Sequence, residues 1–321
     1  MFLLNQISEF KKIRVFLFFL LPIISVFISS CSFDKEKDAG KHKGKFVILC
    51  STTQVADFAR EVAGGRCEVL CVLSPGSDPH TYQPTAGDAK TALSVDLCLQ
   101  NGFHLEGKNW MAVLAKDAGK PIVTCAEGVA PIFIESKGET IRDPHTWFTP
   151  YNASIYIENI RTAFIRLDPD GEYEYSVRAD LYLKQLKSLD AWIRGRFNAI
   201  PMEERILVTS HDAFNYFAAE YGFKNTAPVG WSTGSEVGGG MTPSRYNLVV
   251  ESIRNLGVKA VFVETSVNPK LMREIGKAAG VQIGGELYSD SMGARGSAGE
   301  TYIGMMRENV ITICKALKRN R

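Results

Sequence analysis

The sequence has no excess of one charge sign. Its 37 basic and 35 acidic residues nearly balance. Lys11, Lys12, Arg14 and Glu9 lie ahead of a processing point argued below, and without them the two counts are equal. A nucleic-acid partner calls for a basic surface to meet phosphate, so that class is set aside. Cysteine is sparse, seven in 321 residues, and no CxxC pair occurs. Thiols inside apolar runs such as Phe46-Val47-Ile48-Leu49-Cys50 read as small core residues. An exported chain permits disulfides, but no pairing can be assigned from these spacings. HExxH and P-loop motifs are missing, and with them the commonest signatures of zinc peptidases and nucleotide hydrolases. Beyond the first 30 residues no apolar stretch approaches the ~20 residues of a spanning helix.

At the N-terminus, Lys11, Lys12 and Arg14 precede an apolar run from Val15 to Ile28. That run is too short to span a bilayer and suits the core of a signal peptide, about 7–15 residues. It ends in Ile28-Ser29-Ser30-Cys31, small residues before a cysteine, which resembles a bacterial lipobox. Cys31 is therefore expected to be the lipidated first residue of a mature, membrane-anchored chain, with 1–30 as signal peptide. Residues 32–45 are polar and charged and read as a flexible tether with a mean reach of ~20 Å. His42 belongs to it and has no expected role.

The mature body, about 290 residues, is long enough for two domains. Short β-rich runs alternate with helical ones, the pattern of mostly parallel sheets covered by helices. Strands are expected at Phe46–Ser51, Cys67–Leu73, Val95–Gln100 and Pro121–Cys125, with helices at Thr53–Ala63, Ala86–Leu93 and Lys108–Ala118. The second half offers strands at Arg205–Ser210, Ala260–Thr265 and Val281–Leu287, and a weaker one near Thr226–Val229. Its helices are Ala213–Tyr221, Pro243–Leu256, Pro269–Ala279 and Thr301–Lys318. Between the halves, Glu172–Ile200 carries Leu181, Leu183, Leu186, Leu189, Trp192, Ile193 and Phe197 at helical spacing. The reading is an α/β chain with two lobes, 46–171 and 201–321. Each is a small, mostly parallel sheet with flanking helices, and one long helix, 172–200, bridges them.

Only five histidines occur, so each can be weighed. His80 lies in Asp78-Pro79-His80-Thr81-Tyr82, directly after a strand, and His145 in the near copy Asp143-Pro144-His145-Thr146-Trp147. His211 follows the strand Ile206-Leu207-Val208-Thr209-Ser210 and is expected to open a helix. Ligands of open α/β sheets bind beyond the carboxyl ends of the strands. His80 and His211 fit that rule, while His145 lies some way past its strand. A buried transition-metal site held by protein alone usually takes four donors. Asp290, in the glycine-flanked loop after Val281–Leu287, is the candidate fourth.

From residue 46 onward the chain resembles the TroA-like family of metal-binding lipoproteins, which includes zinc-binding ZnuA and manganese-binding PsaA types. The matching segments are SPGSDPHTYQPTAGD (74–88), NGFHLE (101–106), DPHTWFTP (143–150), TSHDAFNYFAAEYGF (209–223), VFVETS (261–266) and GELYSDSMG (285–293). The resemblance implies a solute-binding component of an ABC importer, with the metal between two α/β lobes. It implies His80 and His145 from the first lobe, and His211 and Asp290 from the second, as ligands. It also implies a membrane permease as partner, in addition to the lipid membrane reached through Cys31. A monomer on the periplasmic or cell-surface side is expected.

Three imidazoles and a carboxylate suit zinc, while manganese favours more oxygen donors. Manganese-type relatives carry glutamate at the position of His211. Zinc-dedicated relatives carry a histidine-rich loop where Glu127–Arg142 here has no histidine. The expected order is zinc, then manganese, then iron. His104 follows a strand and could approach the same cleft in a supporting or loop role. Glu264 ends another strand and could accept the outer N–H of a metal-bound histidine. A metalloenzyme is the first rival reading, but catalytic zinc usually keeps an open position for water, and four protein donors leave little room. An adhesin with a structural metal is the second rival.

Overall fold

The computed structural model describes residues 44–136, 139–227 and 242–318. Cys31, the signal segment and nearly all of the tether lie outside the described residues. In the first lobe, strands β1 (Phe46–Cys50), β2 (Cys67–Cys71), β3 (Leu97–Gln100) and β4 (Ile122–Thr124) form one parallel sheet in the order β2-β1-β3-β4. The pairing runs Phe46 with Cys67 and Ile48 with Leu97, so the carboxyl ends of all four strands point to one edge. Apolar residues occur at consecutive strand positions because both faces of the sheet are covered. On one face, Leu49 and Cys98 pack with Ala92 of α2 (Ala86–Leu93) and with Trp110, Met111 and Leu114 of α3 (Trp110–Asp117). On the other, Ile48, Cys50 and Leu99 share a core with α1 (Thr53–Ala63), α4 (Pro150–Leu167) and α5 (Glu172–Phe197).

Helix α1 starts where the Thr52 side chain accepts a hydrogen bond from Val55 N, and it buries Val55, Phe58, Ala59 and Val62 at helical spacing. The connection from β4 to α4 contains an antiparallel hairpin, β5 (Phe133–Ser136) with β6 (Glu139–Arg142). Neither the hairpin nor α4 is among the elements expected from sequence. Helix α5 is the expected long helix, and it ends at Phe197, just short of Pro201.

The second lobe has two parallel pairs, β7 (Ile206–Val208) with β8 (Lys224–Thr226) and β9 (Ala260–Glu264) with β10 (Gln282–Leu287). Helices α6 (Asn215–Tyr221), α7 (Pro243–Leu256), α8 (Lys270–Ala279) and α9 (Tyr302–Lys318) flank them. The weaker strand expected near Thr226–Val229 meets β8 at Thr226 only, and residues 228 and 229 lie outside the described residues. The two lobes share a core. Tyr302 at the start of α9 is fully buried against Phe58 of α1, ring centroids 4.7 Å apart. Its backbone N donates to Asp57 Oδ2 and its hydroxyl to the Trp147 carbonyl, both at 2.8 Å. Burial in this contact pushes the Asp57 carboxyl up to about 6.

No helix among the described residues is long and apolar enough to cross a membrane. The six described cysteines are free, five buried and Cys71 half-buried. Burial holds the thiols of Cys50, Cys71, Cys98 and Cys125 above the usual thiol range, which keeps them protonated.

Candidate metal centre

The repeated Asp-Pro-His segment builds the same turn twice. Asp78 Oδ1 accepts from His80 N at 2.8 Å, and Asp143 Oδ1 accepts from His145 N at 2.9 Å. In each case a carboxylate two residues back fixes the histidine backbone. Around His80, the Trp110 indole N–H donates to the Pro79 carbonyl at 2.9 Å. Gly107, at φ 50°, lies so close that a Cβ there would come within 2.3 Å of the His80 carbonyl oxygen. Only glycine combines that backbone conformation with that approach. Around His145, Asn101 Nδ2 donates to the Pro144 carbonyl at 3.0 Å. Buried Glu106 holds the Asn101 loop by accepting from the Ser51 hydroxyl and from the backbone N of Asn101 and Gly102.

His211 lies in a bend between β7 and α6, four residues short of the helix it was expected to open. Its backbone N is diverted from helical bonding by Glu264 Oε1, which accepts it at 2.9 Å, and Thr209 Oγ1 donates to its carbonyl at 2.8 Å. Asp290 follows β10. Its loop is tied to the first lobe on both sides: Gln54 Nε2 donates to the Ser289 carbonyl, Ser291 Oγ accepts from Gly76 N, and Thr53 Oγ1 accepts from Met292 N. The second lobe therefore contributes Asp290, but the first lobe positions it.

These segments bring one ring nitrogen each from His80, His145 and His211 and one carboxylate oxygen of Asp290 within 4.8 Å of one another. His211 Nε2 stands 3.0 Å and His80 Nε2 3.7 Å from Asp290 Oδ2, while His145 Nε2 is 3.3 Å from Oδ1. The Nε2 atoms of His80 and His145 are 3.2 Å apart. His145, His211 and Asp290 are at most 3% exposed, so the cluster is nearly dry. Both outer ring nitrogens face acids: His145 Nδ1 is 2.7 Å from Asp143 Oδ1, and His211 Nδ1 is 2.5 Å from Glu264 Oε2. A carboxylate only accepts, so Nδ1 of each ring carries a proton and Nε2 faces the cluster. Asp290 Oδ1 and Oδ2 and His211 Nε2 are buried without a well-aligned hydrogen bond among the described residues, as are His211 Nδ1 and Glu264 Oε2 behind them. Buried polar atoms that converge without partners fit a cation at their centre, and the mixed imidazole–carboxylate set fits a borderline divalent metal.

Charge couples the cluster. Burial alone would lower the His145 pKa, but Asp143 and Asp290 outweigh it and raise it to about 9. His211 is raised well above the usual imidazole range for the same reason, with Asp290 and Glu264 outweighing burial. Burial lowers His80 to about 3. The Asp290 carboxyl stays well below its usual range because His211 and His145 overcome its burial. The metal-free cluster thus holds two imidazolium rings around one carboxylate.

The chain matches the family described as ZnuA, "Zinc-uptake complex component A periplasmic", across residues 48–316. It belongs to that family. Iron-binding protein YfeA of Yersinia pestis is 36% identical over 307 residues, covering 94% of this chain and 96% of that protein. Manganese-binding lipoprotein MntA of Bacillus subtilis is 37% identical over 278 residues, 84% of this chain and 89% of that protein. The solved structure of the periplasmic zinc-binding protein TroA from Treponema pallidum superposes with a TM-score of 0.79 at 32% identity, covering 86% of this chain and all of that one. The fold is thus TroA-like, and the family is one of substrate-binding transport proteins.

Of the residues singled out from sequence, His80, His145, His211 and Asp290 come together, and Glu264 lies behind His211. His104 does not join them. It is exposed, with its backbone in the left-handed region at φ 66°, on a surface pocket shared with Phe103, Glu127 and Arg142. Asp143 plays toward His145 the part that Glu264 plays toward His211, and it was not among the expected residues. Its signal was the repeat itself, which places an aspartate two residues before each histidine.

Proposed function

We propose that the protein is an extracytoplasmic solute-binding lipoprotein that captures one divalent transition-metal ion between its lobes and delivers it to an ABC importer. His80, His145, His211 and Asp290 are the ligands in this reading. The observation that carries it is the convergence of four donor atoms within 4.8 Å, three of their residues buried, with carboxylates behind two of the rings. Zinc ranks first from the donor set, manganese second and iron third. The relatives' names span all three metals and do not separate them.

The site suits capture rather than turnover. Four protein donors fill a tetrahedral shell and leave no ready position for a reacting water, so no enzymatic activity is assigned. The permease partner and the anchor through Cys31 follow the relatives named as lipoproteins of metal ABC transporters. The chain acts as a monomer with no nucleic-acid partner. Elemental analysis of protein purified without added metal tests the reading, and one tightly held transition metal per chain is expected. In cells, deletion should lower uptake of that metal, and Cys31→Ser should release the protein from the membrane fraction or leave an unprocessed precursor. Purified protein that neither retains nor binds a transition metal would overturn the reading.

A further inference from the structure

A chain of side-chain hydrogen bonds crosses between the lobes behind the metal donors. Asp143 of the first lobe has one oxygen on the His145 ring. Its other oxygen, Oδ2, accepts from Asn215 Nδ2 at 3.0 Å, and Asn215 is the first residue of α6 in the second lobe. The Asn215 side-chain Oδ1 accepts from Asn225 Nδ2 at 3.0 Å. Asn225 Nδ2 also reaches Asp212 Oδ1 at 3.1 Å, beside His211. The amide orientations follow from chemistry, since Asp143 can only accept and Asn215 must present its nitrogen. The next residue of α6 reinforces the crossing. The Tyr216 hydroxyl accepts from Ile132 N at 3.0 Å and donates to the Asp143 carbonyl at 3.3 Å.

We infer that Asn215 is a positioning residue that couples lobe closure to metal retention, a role that rests on the metal-carrier reading above. It touches no metal donor. It acts through Asp143, whose single carboxylate is shared between the His145 ring in one lobe and α6 in the other. With the lobes together, Asn215 fixes the rotamer in which Asp143 Oδ1 faces His145 Nδ1, and His145 Nε2 then faces the ion. When α6 withdraws, Asp143 loses that constraint and keeps only its bonds to the His145 backbone N and ring, so His145 is held less firmly. The contact would be made in the closed state and lost on opening, so it should slow metal release more than it speeds capture.

The test is the rate of zinc release from the loaded full-length body into excess chelator, measured by stopped flow. Asn215→Leu, which keeps the volume and removes the donor, should release zinc about tenfold faster, the lower end of the effect of residues that orient metal ligands. Asn215→Ala should match it, and the association rate should change less than twofold. In an Asp143→Ala background the Asn215 substitution should have no further effect, because its path to His145 is gone. Thermal melting of the metal-free variants separates this from misfolding. Release within twofold of wild type, or an equal acceleration in the Asp143→Ala background, would overturn the inference. Wild-type protein that binds no divalent transition metal at all would overturn the carrier reading, and this inference with it.

Discussion

Proton release on metal binding can be worked out from the charges of the cluster. In the metal-free protein His145 titrates at about 9 and His211 well above the usual range, so at pH 7.5 both rings are protonated. His80, at about 3, is neutral, and Asp290 is ionised. Ligation needs neutral imidazole, so a divalent ion entering at pH 7.5 must displace about two protons. Two positive charges leave and two arrive, and the buried site keeps its net charge. Three imidazoles at the reference pKa of ~6.5 would release only about 0.3 protons in total at that pH. The sign follows directly. Protons hold the metal-free site wherever the pH is below the raised pKa values, so affinity falls as pH falls. It should change by about 100-fold per pH unit between pH 6 and 8, and flatten only as His145 titrates near 9. Titration calorimetry in buffers of different ionisation enthalpy counts the protons. A release of less than about half a proton at pH 7.5 would refute the coupling of His145 and His211 to Asp143, Glu264 and Asp290.

Three substitutions probe the supports. Glu264→Gln keeps the shape but removes the charge behind His211, and metal affinity should fall by about 10–100-fold in equilibrium titration; an unchanged affinity would count against its role. Gly107→Ala forces a Cβ toward the His80 carbonyl at a left-handed backbone position. Affinity should drop at least about tenfold and the metal-free protein should melt earlier, whereas unchanged values in both would show that the loop yields freely. His104→Ala should alter affinity less than about twofold, since its ring is exposed and outside the donor cluster.

The lobes and the donors were readable because their signals are local. Strand ends, proline and glycine punctuation, and the Asp-Pro-His repeat each sit within a few residues of one another. Helix α4 also carries a local signal, with Thr149 capping, Pro150 opening, and Ala153, Ile157, Ile160 and Phe164 buried along one face. The hairpin β5–β6 explains why His145 lies far along the chain from β4, since the excursion returns the chain to the same edge. Asn215, Gly107 and the bonds that tie the Asp290 loop to Gln54 and Thr53 were not readable at all. Their roles depend on partners far away in the chain, and nothing in their immediate sequence marks the contact. His211 shows the same limit: a residue 53 positions later, Glu264, decides that its backbone does not enter a helix.

The most direct test of the account is equilibrium metal titration of four single variants, His80→Ala, His145→Ala, His211→Ala and Asp290→Ala, beside wild type. The account predicts one ion per wild-type chain and an affinity loss of at least about tenfold for every variant, because each removes a donor from a four-donor site. Two or more variants with wild-type affinity would contradict it.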